Sequence, residues 1–410
     1  MTTEPAIEAT PGSSGPRGGT GPGDPAGLGG AADLSPDHIT TATRDPAALG
    51  ASIEAWLATV LPGGAAPSVT DLVRPEGNGM SSETVLFTAR WSEDGRADDH
   101  RCVARIEPEL DNVPVFPTYD LAQQHRVISL VRDATHVAVP EPLWFEPHPG
   151  VIGAPFFVMR AVRGEVPPDV LPYTFGDNWT FDATDEQRAR MQRSAIAALV
   201  GIHQITPDTH DLSFLAHDTP GDTALERHLA HWERYLHWVT GDERSPLLDA
   251  CFAWLRAKLR VEGTDTGEAR LSWGDARVGN MLFADFEVTG VLDWEMAGVA
   301  PPEVDLGWMA YLHRFFQDLA TDLGAPGLAR FLRPAEVVAA YAELSGRPPG
   351  DLRWFVAYAA MRHGVIMRRV TERAVHFGEA VRPADPDDMI IHRKTLSGML
   401  DGSYWDQVDL

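Results

Sequence analysis

The chain contains little cysteine. Only two of its 410 residues are cysteines, Cys102 and Cys251, and each lies inside an apolar segment. So few thiols exclude a disulfide framework, and the cysteines and histidines nowhere cluster at the spacing of a zinc site. Nothing resembles a secretory signal, so the sequence predicts a protein of the reducing cytoplasm.

Positive charge is also scarce. Lys and Arg number 34 against 59 Asp and Glu, which gives a formal net charge of −25. A surface for nucleic acid or for an anionic membrane needs a basic patch, so neither partner is expected. The acidic residues are scattered, which favours ordinary solubility charge, with attraction of a cationic substrate as the alternative.

Long apolar stretches are missing as well. No uninterrupted run approaches the length that crosses a bilayer, and the chain is expected to be soluble. Residues 1–34 are rich in Gly, Pro, Ser, Thr and Ala and hold almost no large apolar side chains. They are predicted to form a disordered N-terminal tail, and the remaining length suits two lobes around a cleft.

The hydrophobic patterns divide the rest of the chain into a small lobe, residues 45–162, and a larger lobe, residues 163–410. Helical spacing and short β-rich segments alternate in the first lobe, which indicates a small antiparallel sheet with helices. Its helices are predicted at residues 45–61 and 120–132, and its strands at residues 69–73, 84–91, 101–106 and 156–159. The second lobe is mainly helical, with helices predicted at residues 185–205, 224–239, 247–259, 334–344 and 351–370.

Two short motifs in the second lobe indicate its chemistry. Residues 271–280 read LSWGDARVGN, which sets Asp275 and Asn280 at the D-x-x-x-x-N spacing of a kinase catalytic loop. Residues 291–295 read VLDWE, which puts Asp293 at the end of an apolar strand, where kinases place a magnesium ligand. The segment between them is typical of a β-hairpin, which would carry Asn280 and Asp293 to the same end of a sheet. The two motifs together predict phosphoryl transfer.

These motifs resemble those of the aminoglycoside phosphotransferase and choline kinase-like family, whose loop usually reads H-G-D-x-x-x-x-N and precedes a metal-binding Asp in an L-D-W-E/D-like segment. The similarity is strongest with a subgroup that includes kinase-like domains attached to some acyl-CoA dehydrogenases. It covers almost everything after the first forty or so residues. The resemblance implies an α+β, protein kinase-like two-lobe fold, with a small antiparallel β-sheet N-lobe that binds nucleotide and a mainly α-helical C-lobe.

The resemblance assigns roles to the motif residues. Asp275 is expected to orient the acceptor hydroxyl or accept its proton, while Asn280 and Asp293 hold Mg²⁺ through hard oxygen ligands. Glu295, two residues further along an extended chain, would point to the same side and is a further metal candidate. Arg277 either stabilises charge on the transferred phosphoryl group or forms a salt bridge within the loop.

Several N-lobe residues are candidates for nucleotide binding. Arg105 stands where protein kinases carry the β3 Lys, and Gln124 is the inward polar residue of the second helix, where they carry Glu. The backbone from Phe157 to Met159, with Arg160 and Ala161, resembles an interlobe hinge that recognises adenine, and a core strand there is compatible with this role. A glycine-rich loop that would cover the phosphates contributes four further candidates: Gly77, Gly79, Ser81 and Ser82.

Three further residues are expected to have structural roles. Trp273 stands where the family more often has His, and its large ring predicts packing without proton transfer. Asp305 resembles the family's distal Asp-Leu segment and is expected to anchor the loop through backbone hydrogen bonds. His203 is expected to pack or to form hydrogen bonds.

The acceptor site is less well defined. Residues 165–184, rich in Pro and aromatic side chains, are a candidate cap for it. Tyr235 is a candidate because helical spacing leaves it off the core stripe of the helix at residues 224–239. The other side-chain candidates come from two later helices: Tyr311, His313, Arg314, Arg362 and His363.

The sequence thus predicts magnesium-dependent transfer of the γ-phosphoryl group of ATP, or GTP, to a hydroxyl of a small molecule by a monomer or homodimer. The acceptor is an aminoglycoside-like compound or a hydroxylated metabolite or acyl-CoA. A nucleotide-binding pseudokinase with a regulatory or scaffolding role is the alternative, which Gln124 and Trp273 favour and the intact Asp275 disfavours. Protein kinase activity ranks last, because no D-F-G or A-P-E segment occurs.

Overall fold

A five-stranded antiparallel sheet forms the N-lobe. The computed structural model describes residues 44–75, 82–93, 95–108, 113–169, 171–261 and 268–408. The strands follow the order β1-β2-β3-β5-β4, and each neighbouring pair runs antiparallel. Their bounds are β1 Ser68–Val73, β2 Glu83–Glu93, β3 Arg96–Ile106, β4 Pro142–Glu146 and β5 Phe156–Arg160. The predicted glycine-rich loop, which includes Gly77, Gly79 and Ser81, lies outside the described residues, and so does the predicted tail, residues 1–34.

Two helices accompany this sheet, α1 Pro46–Val60 and α2 Leu121–Ala134. Helix α1 begins at Asp45, whose carboxylate accepts a hydrogen bond from the backbone of Ala48 at 2.9 Å. Its apolar side chains share a core with the inward face of β2. Along β2 every second residue is buried, which is the alternation of a strand with one covered face: Val85, Phe87, Ala89 and Trp91.

The C-lobe is mainly helical, as predicted. Capping boxes at Thr184 and Thr223 begin its α4 and α5 helices. The helices are α3 Trp179–Asp182, α4 Asp185–Ile202, α5 Ala224–Thr240, α6 Pro246–Val261, α7 Glu303–Asp322, α8 Pro334–Ser345, α9 Arg353–His376 and α10 Arg393–Asp401. Two small antiparallel pairs interrupt them: β6 Arg270–Ser272 with β9 Gly298–Ala300, and β7 Met281–Ala284 with β8 Glu287–Val291.

The buried apolar side chains form two clusters, one within the N-lobe and a larger one in the C-lobe. Helix α2 belongs to the larger cluster through its buried face, which includes Leu121, Ile128 and Val131 as the spacing predicted. Phe157 and Met159 of β5 join the same cluster. The helix and strand that would face a nucleotide are therefore packed against the catalytic lobe.

The structure confirms the α+β, kinase-like two-lobe fold. The sequence missed β4, and it gave no bounds for α3, α7 or α10. None of the helices in the described ranges is both long and apolar enough to cross a membrane.

Candidate active site

One buried carboxylate holds the loop that begins with Trp273. Asp305, fully buried near the start of α7, accepts hydrogen bonds from the backbone N–H groups of Trp273 at 2.8 Å and Gly274 at 2.9 Å. It also accepts from the Ser272 hydroxyl at 2.8 Å and from Nε2 of His203 at 3.0 Å. Burial raises the pKa of Asp305, but the bond from His203 and the other donors outweigh it, and the pKa lies below its ordinary value. The predicted anchoring role of Asp305 is confirmed.

His203 is part of this anchor. It is buried at the end of α4, and its second ring nitrogen, Nδ1, bonds the hydroxyl of Tyr341 on α8 at 3.0 Å. The expected hydrogen-bonding role is confirmed, since both ring nitrogens are engaged. Helices α4, α7 and α8 are thereby joined at the base of the loop.

Trp273 connects the two motifs. Its buried indole Nε1 donates to the carbonyl oxygens of Leu292 at 2.9 Å and Asp293 at 3.1 Å. Its ring packs against Trp294 with centroids 6.0 Å apart. The predicted packing role is confirmed, and the indole also hydrogen-bonds the backbone of the segment that carries Asp293.

Gly274 must be glycine. Its φ is +91°, a conformation that L side chains rarely adopt. A Cβ there would lie 1.9 Å from the carbonyl oxygen of Met296, which is backbone and cannot swing away. The absence of a side chain lets the catalytic loop and the segment after Asp293 touch.

Asp275 lies at the centre of a set of donors. Its Oδ1 accepts from Nε1 of Trp308 at 2.6 Å, and its Oδ2 accepts from Nδ2 of Asn280 at 2.7 Å. Arg277 donates through Nε to both oxygens at 3.2 Å. The side chain is 13% exposed, so the carboxylate is mostly shielded yet reachable. The sequence missed Trp308, which is 33 residues away.

The predicted hairpin brings Asn280 and Asp293 together. Strands β7 and β8 pair Met281 with Val291, and the next residue, Leu292, donates its N–H to the carbonyl of Asn280 at 2.9 Å. The turn is two residues long, and both of its residues have positive φ, as a tight hairpin requires. Because the amide nitrogen of Asn280 faces Asp275, its oxygen remains as the end that can meet a metal ion.

Asp293 has the environment of a ligand. It has a φ of +55°, and its Oδ1 is buried without a hydrogen-bond partner in the described chain. The guanidinium of Arg105 lies 3.6 Å from that oxygen. Burial raises the pKa of Asp293, Arg105 opposes the rise and Asp275 adds to it. A carboxylate with an unused oxygen beside a second carboxylate suits a divalent cation.

Strand alternation does not place Glu295 on the same side as Asp293. Asp293 has a positive φ, so the chain turns there and the alternation of an extended strand does not apply. The half-buried Glu295 carboxylate instead contributes to raising the pKa of Tyr119 and Tyr235, after burial in both cases. Its role as a metal ligand stays a prediction.

Few carboxylates are present for a metal ion. Among the described residues no group of three or more His, Cys, Asp or Glu side chains could hold a metal ion. The donors at this site are instead the carboxylate of Asp293 and the amide of Asn280. This set fits Mg²⁺, which keeps several waters and uses one or two carboxylates together with substrate phosphates.

Arg277 is ion-paired on both sides. It contacts Asp169 as well as Asp275, and these carboxylates hold the pKa of its guanidinium above the ordinary value although burial acts to lower it. A Cβ at Gly279 would meet the Asp169 carboxylate at 2.4 Å, so this glycine makes room for the pair. The predicted salt bridge within the loop is present, and stabilisation of charge on the phosphoryl group stays a prediction. Asp169, from the predicted cap, was missed.

The nucleotide candidates have mixed outcomes. Arg105 donates to Thr84 at 2.9 Å and faces Asp293, whereas no hydrogen bond links it to Gln124 in the described chain. Phe157 and Met159 lie inside β5, which pairs with a strand on each side, so their backbone serves the sheet. The core strand is therefore present, and adenine recognition in this segment stays a prediction. Ser82, at the start of β2, has a buried hydroxyl without a partner among these residues.

Most acceptor candidates are structural. Tyr235 is buried and donates its hydroxyl to the carbonyl of Val115 at 2.8 Å. Buried pairs join Tyr311 with His363 at 3.1 Å and Tyr173 with His313 at 2.9 Å. Arg314 pairs with Asp318 one helical turn away, and Arg362 is fully buried. Helical spacing placed Tyr235 off the core stripe of α5, but it is buried because the chain around Val115 covers that side.

Solved structures with the same fold include a protein from Ralstonia eutropha provisionally assigned as an aminoglycoside phosphotransferase. Its TM-score is 0.60 at 20% identity, and the match covers 88% of this chain and 99% of that one. Another is the GDP complex of aminoglycoside 2′-phosphotransferase-IIIa, with a TM-score of 0.51 at 14% identity over 87% of this chain and 99% of the other. At these identities the likeness concerns the fold.

Curated relatives are longer proteins. The probable acyl-CoA dehydrogenase IBR3 of Arabidopsis thaliana is 24% identical over 264 residues, 61% of this chain and 31% of the relative. Acyl-CoA dehydrogenase family member 11 of Gallus gallus is 26% identical over 268 residues, 65% of this chain and again 31% of the relative. The chain thus spans about a third of these proteins. The profile of the phosphotransferase enzyme family matches residues 83–347, well over half of the chain. With its fold and its loop, the chain belongs to this phosphotransferase enzyme family.

Proposed function

We propose that the chain transfers the γ-phosphoryl group of ATP, or of GTP, to a hydroxyl of a small molecule, with Asp275 as the residue that receives the hydroxyl proton. The observation that supports this most strongly is the meeting of Asp275, Asn280 and Asp293 on one loop and hairpin. Phosphoryl transfer depends on positioning and charge neutralisation, and this cluster provides both.

The reaction forms a bond between the acceptor oxygen and the γ-phosphorus and breaks the bond to the oxygen that bridges the β- and γ-phosphates. The hydroxyl proton passes to Asp275, and a nucleoside diphosphate leaves. Asn280 and Asp293 would hold Mg²⁺, which neutralises phosphate charge when bound. Arg105, 3.6 Å from Asp293, supplies a fixed positive charge on the nucleotide side.

The nucleotide base remains open between adenine and guanine. The complex of aminoglycoside 2′-phosphotransferase-IIIa contains GDP, which makes GTP a candidate beside ATP. The partnerless hydroxyl of Ser82 at the start of β2 is suited to a phosphate oxygen. Because β5 uses the backbone of Phe157 and Met159, we place the contact with the base in the chain after Ala161.

The acceptor class is one of two. A formal charge of −25 favours a cationic acceptor such as an aminoglycoside. Similarity to acyl-CoA dehydrogenases over about a third of their length favours a hydroxylated metabolite or acyl-CoA. The two buried free cysteines suit the reducing cytoplasm, where we place the activity.

The alternative is a pseudokinase that binds nucleotide without useful turnover. It is favoured by Gln124, which makes no hydrogen bond to Arg105 among the described residues. Two observations support the enzyme instead: Arg105 reaches Asp293 without Gln124, and Trp273 connects the loop to the metal segment without a histidine.

The test is release of nucleoside diphosphate that depends on an acceptor, with Mg·ATP and Mg·GTP and a panel of aminoglycosides, choline-like amines, sugars and hydroxyacyl-CoAs. Asp275→Asn keeps the shape of the side chain and is expected to lower kcat by about 10²–10⁴-fold, the contribution of a general base. Asp285→Asn, in the exposed hairpin turn, is the matched control and should leave kcat unchanged.

Calorimetric titration with each Mg·nucleotide runs beside the assay. Turnover with one acceptor, lost in Asp275→Asn and kept in Asp285→Asn, supports the enzyme and names its acceptor. Tight nucleotide binding with no turnover on any acceptor favours the pseudokinase, and absence of binding to either nucleotide would contradict both interpretations.

A further inference from the structure

The carboxylate of Asp275 accepts a hydrogen bond from a helix outside its own motif. Trp308, 2% exposed on α7, donates from its indole Nε1 to Oδ1 of Asp275 at 2.6 Å. An indole has a single donor, and its ring is fixed by the side chains around it. The bond therefore selects one orientation of the carboxylate, whichever acceptor is present.

A buried arginine contacts both the Trp308 ring and the backbone before Asp275. Arg362 on α9 donates from Nη2 to the carbonyl of Gly274 at 3.0 Å. Its guanidinium lies over the ring of Trp308 at 4.4 Å and over Trp232 at 4.6 Å. One side chain thus contacts both the backbone before Asp275 and the ring that holds the Asp275 carboxylate.

Arg362 is a buried charge whose hydrogen-bonding groups are only partly used. Arg362 is 0% exposed, its Nε and Nη1 bind nothing in the described part of the chain, and no carboxylate there forms an ion pair with it. Burial lowers the pKa of its guanidinium, which reflects the penalty on a charge kept out of water. An apolar side chain would fill the same space without that penalty. A charge retained here points to a role in the site.

The local sequence shows how the two residues meet. A Cβ at Gly307 would lie 2.7 Å from the backbone of Phe355, so this glycine lets α7 and α9 approach closely. Trp308 is the next residue, and Arg362 lies two helical turns after Phe355. The close crossing of the helices therefore sets the indole beside the guanidinium.

We propose that Trp308 and Arg362 are positioning residues for phosphoryl transfer: the indole fixes the orientation of the Asp275 carboxylate, and the guanidinium fixes both the indole and the Gly274 backbone. The inference rests on the proposed role of Asp275. Neither residue need touch nucleotide or acceptor, so their loss affects the chemical step and leaves binding intact.

Trp308→Phe is the direct test, because it removes the N–H donor and keeps an aromatic ring under the guanidinium. With the acceptor that the panel identifies, kcat should fall about 10- to 100-fold, the loss expected for one hydrogen bond to a charged group, with the KM for Mg·nucleotide unchanged. In an Asp275→Asn background the same change should have no further effect. Arg362→Met should lower kcat in the same way, and Arg362→Lys should restore part of it.

The matched control is Trp254→Phe on α6, whose ring faces Lys258 at 5.8 Å. It should leave kcat and the unfolding temperature near those of the wild type. A Trp308→Phe enzyme within twofold of the wild-type kcat overturns the inference. So does a Trp308→Phe change that lowers the residual rate of Asp275→Asn by the same factor as it lowers the wild-type rate.

A second measurement needs no acceptor and separates this inference from the proposed function. The indole N–H resonance of Trp308, assigned by its loss in Trp308→Phe, should shift and exchange faster with water in Asp275→Ala, which removes both acceptor oxygens. An unchanged resonance overturns the inference even if the enzyme turns over. A wild-type protein that binds nucleotide but phosphorylates no acceptor fails the proposed function, and the resonance then still reports whether Trp308 holds Asp275.

Discussion

Asp305 offers the sharpest test of how the catalytic loop is held. Its two oxygens accept four hydrogen bonds, from the Trp273 and Gly274 N–H groups, the Ser272 hydroxyl and His203. Asp305→Ala would leave all four buried donors without an acceptor. At about 1–3 kcal/mol for each stranded donor, the free energy of unfolding should fall by about 4 kcal/mol or more. Such a loss is a large part of the ~5–15 kcal/mol that stabilises a typical protein.

Asp305→Asn should lower the free energy of unfolding by less than Asp305→Ala. It keeps one acceptor oxygen and replaces the other with an NH₂ group, so two of the four donors lose their partner. The amide can still donate to His203 if that ring changes tautomer, which leaves a loss of about 2–4 kcal/mol. Urea unfolding followed by tryptophan fluorescence measures both variants. Asp99→Asn, in an exposed ion pair with Arg90 at 3.1 Å, is the control and should stay within about 0.5 kcal/mol of the wild type.

The pH dependence of unfolding checks the charge itself. The folded pKa of Asp305 lies below its ordinary value, so its contribution is present above the ordinary Asp pKa of about 3.9 and is lost as pH falls through the lower folded pKa. The difference in free energy of unfolding between the wild type and Asp305→Asn should thus be constant near neutral pH and become smaller in acid. An Asp305→Asn protein that unfolds within 1 kcal/mol of the wild type at pH 7 would refute the reasoning.

Two further predictions concern the connections between the motifs. Trp273→Phe removes the indole donor to the carbonyls of Leu292 and Asp293 and should lower the free energy of unfolding by about 1–2 kcal/mol, measured by urea unfolding; an unchanged free energy of unfolding would contradict this. Arg105→Met removes the positive charge beside Asp293 and should weaken Mg·nucleotide binding at least about tenfold by calorimetry; unchanged affinity would place the phosphates elsewhere.

The sequence predicts the parts of this site that are close along the chain. The five-residue spacing of Asp275 and Asn280 and the hairpin before Asp293 are local, so pattern and turn length determine them. Local pattern cannot predict the contacts that distant residues make with the loop. Trp308 and Arg362 reach it through helix packing, and Asp169 reaches it from the cap. Helical spacing can indicate that Trp308 is buried, but it cannot name the carboxylate that its single N–H will meet.

The same limit applies to two side chains that were placed by a local pattern. Glu295 was placed by the alternation of an extended strand, and one positive φ at Asp293 removes that alternation. Tyr235 was placed outside the core stripe of α5, but the chain at Val115 covers that face and accepts its hydroxyl. In both cases a contact or a dihedral from outside the local pattern decided the outcome.

Two aspartates in this lobe show how different surroundings give one residue type two roles. Asp305 accepts four hydrogen bonds, and its pKa is lowered although burial acts to raise it. Asp293 has an oxygen that accepts no hydrogen bond in the described chain and lies 3.6 Å from Arg105. Its pKa is raised, chiefly by burial. A carboxylate saturated with donors has no lone pair left for a metal ion, whereas one with an unused oxygen has. The distribution of donors thus makes Asp305 the support of the loop and leaves Asp293 available to a cation and its phosphates.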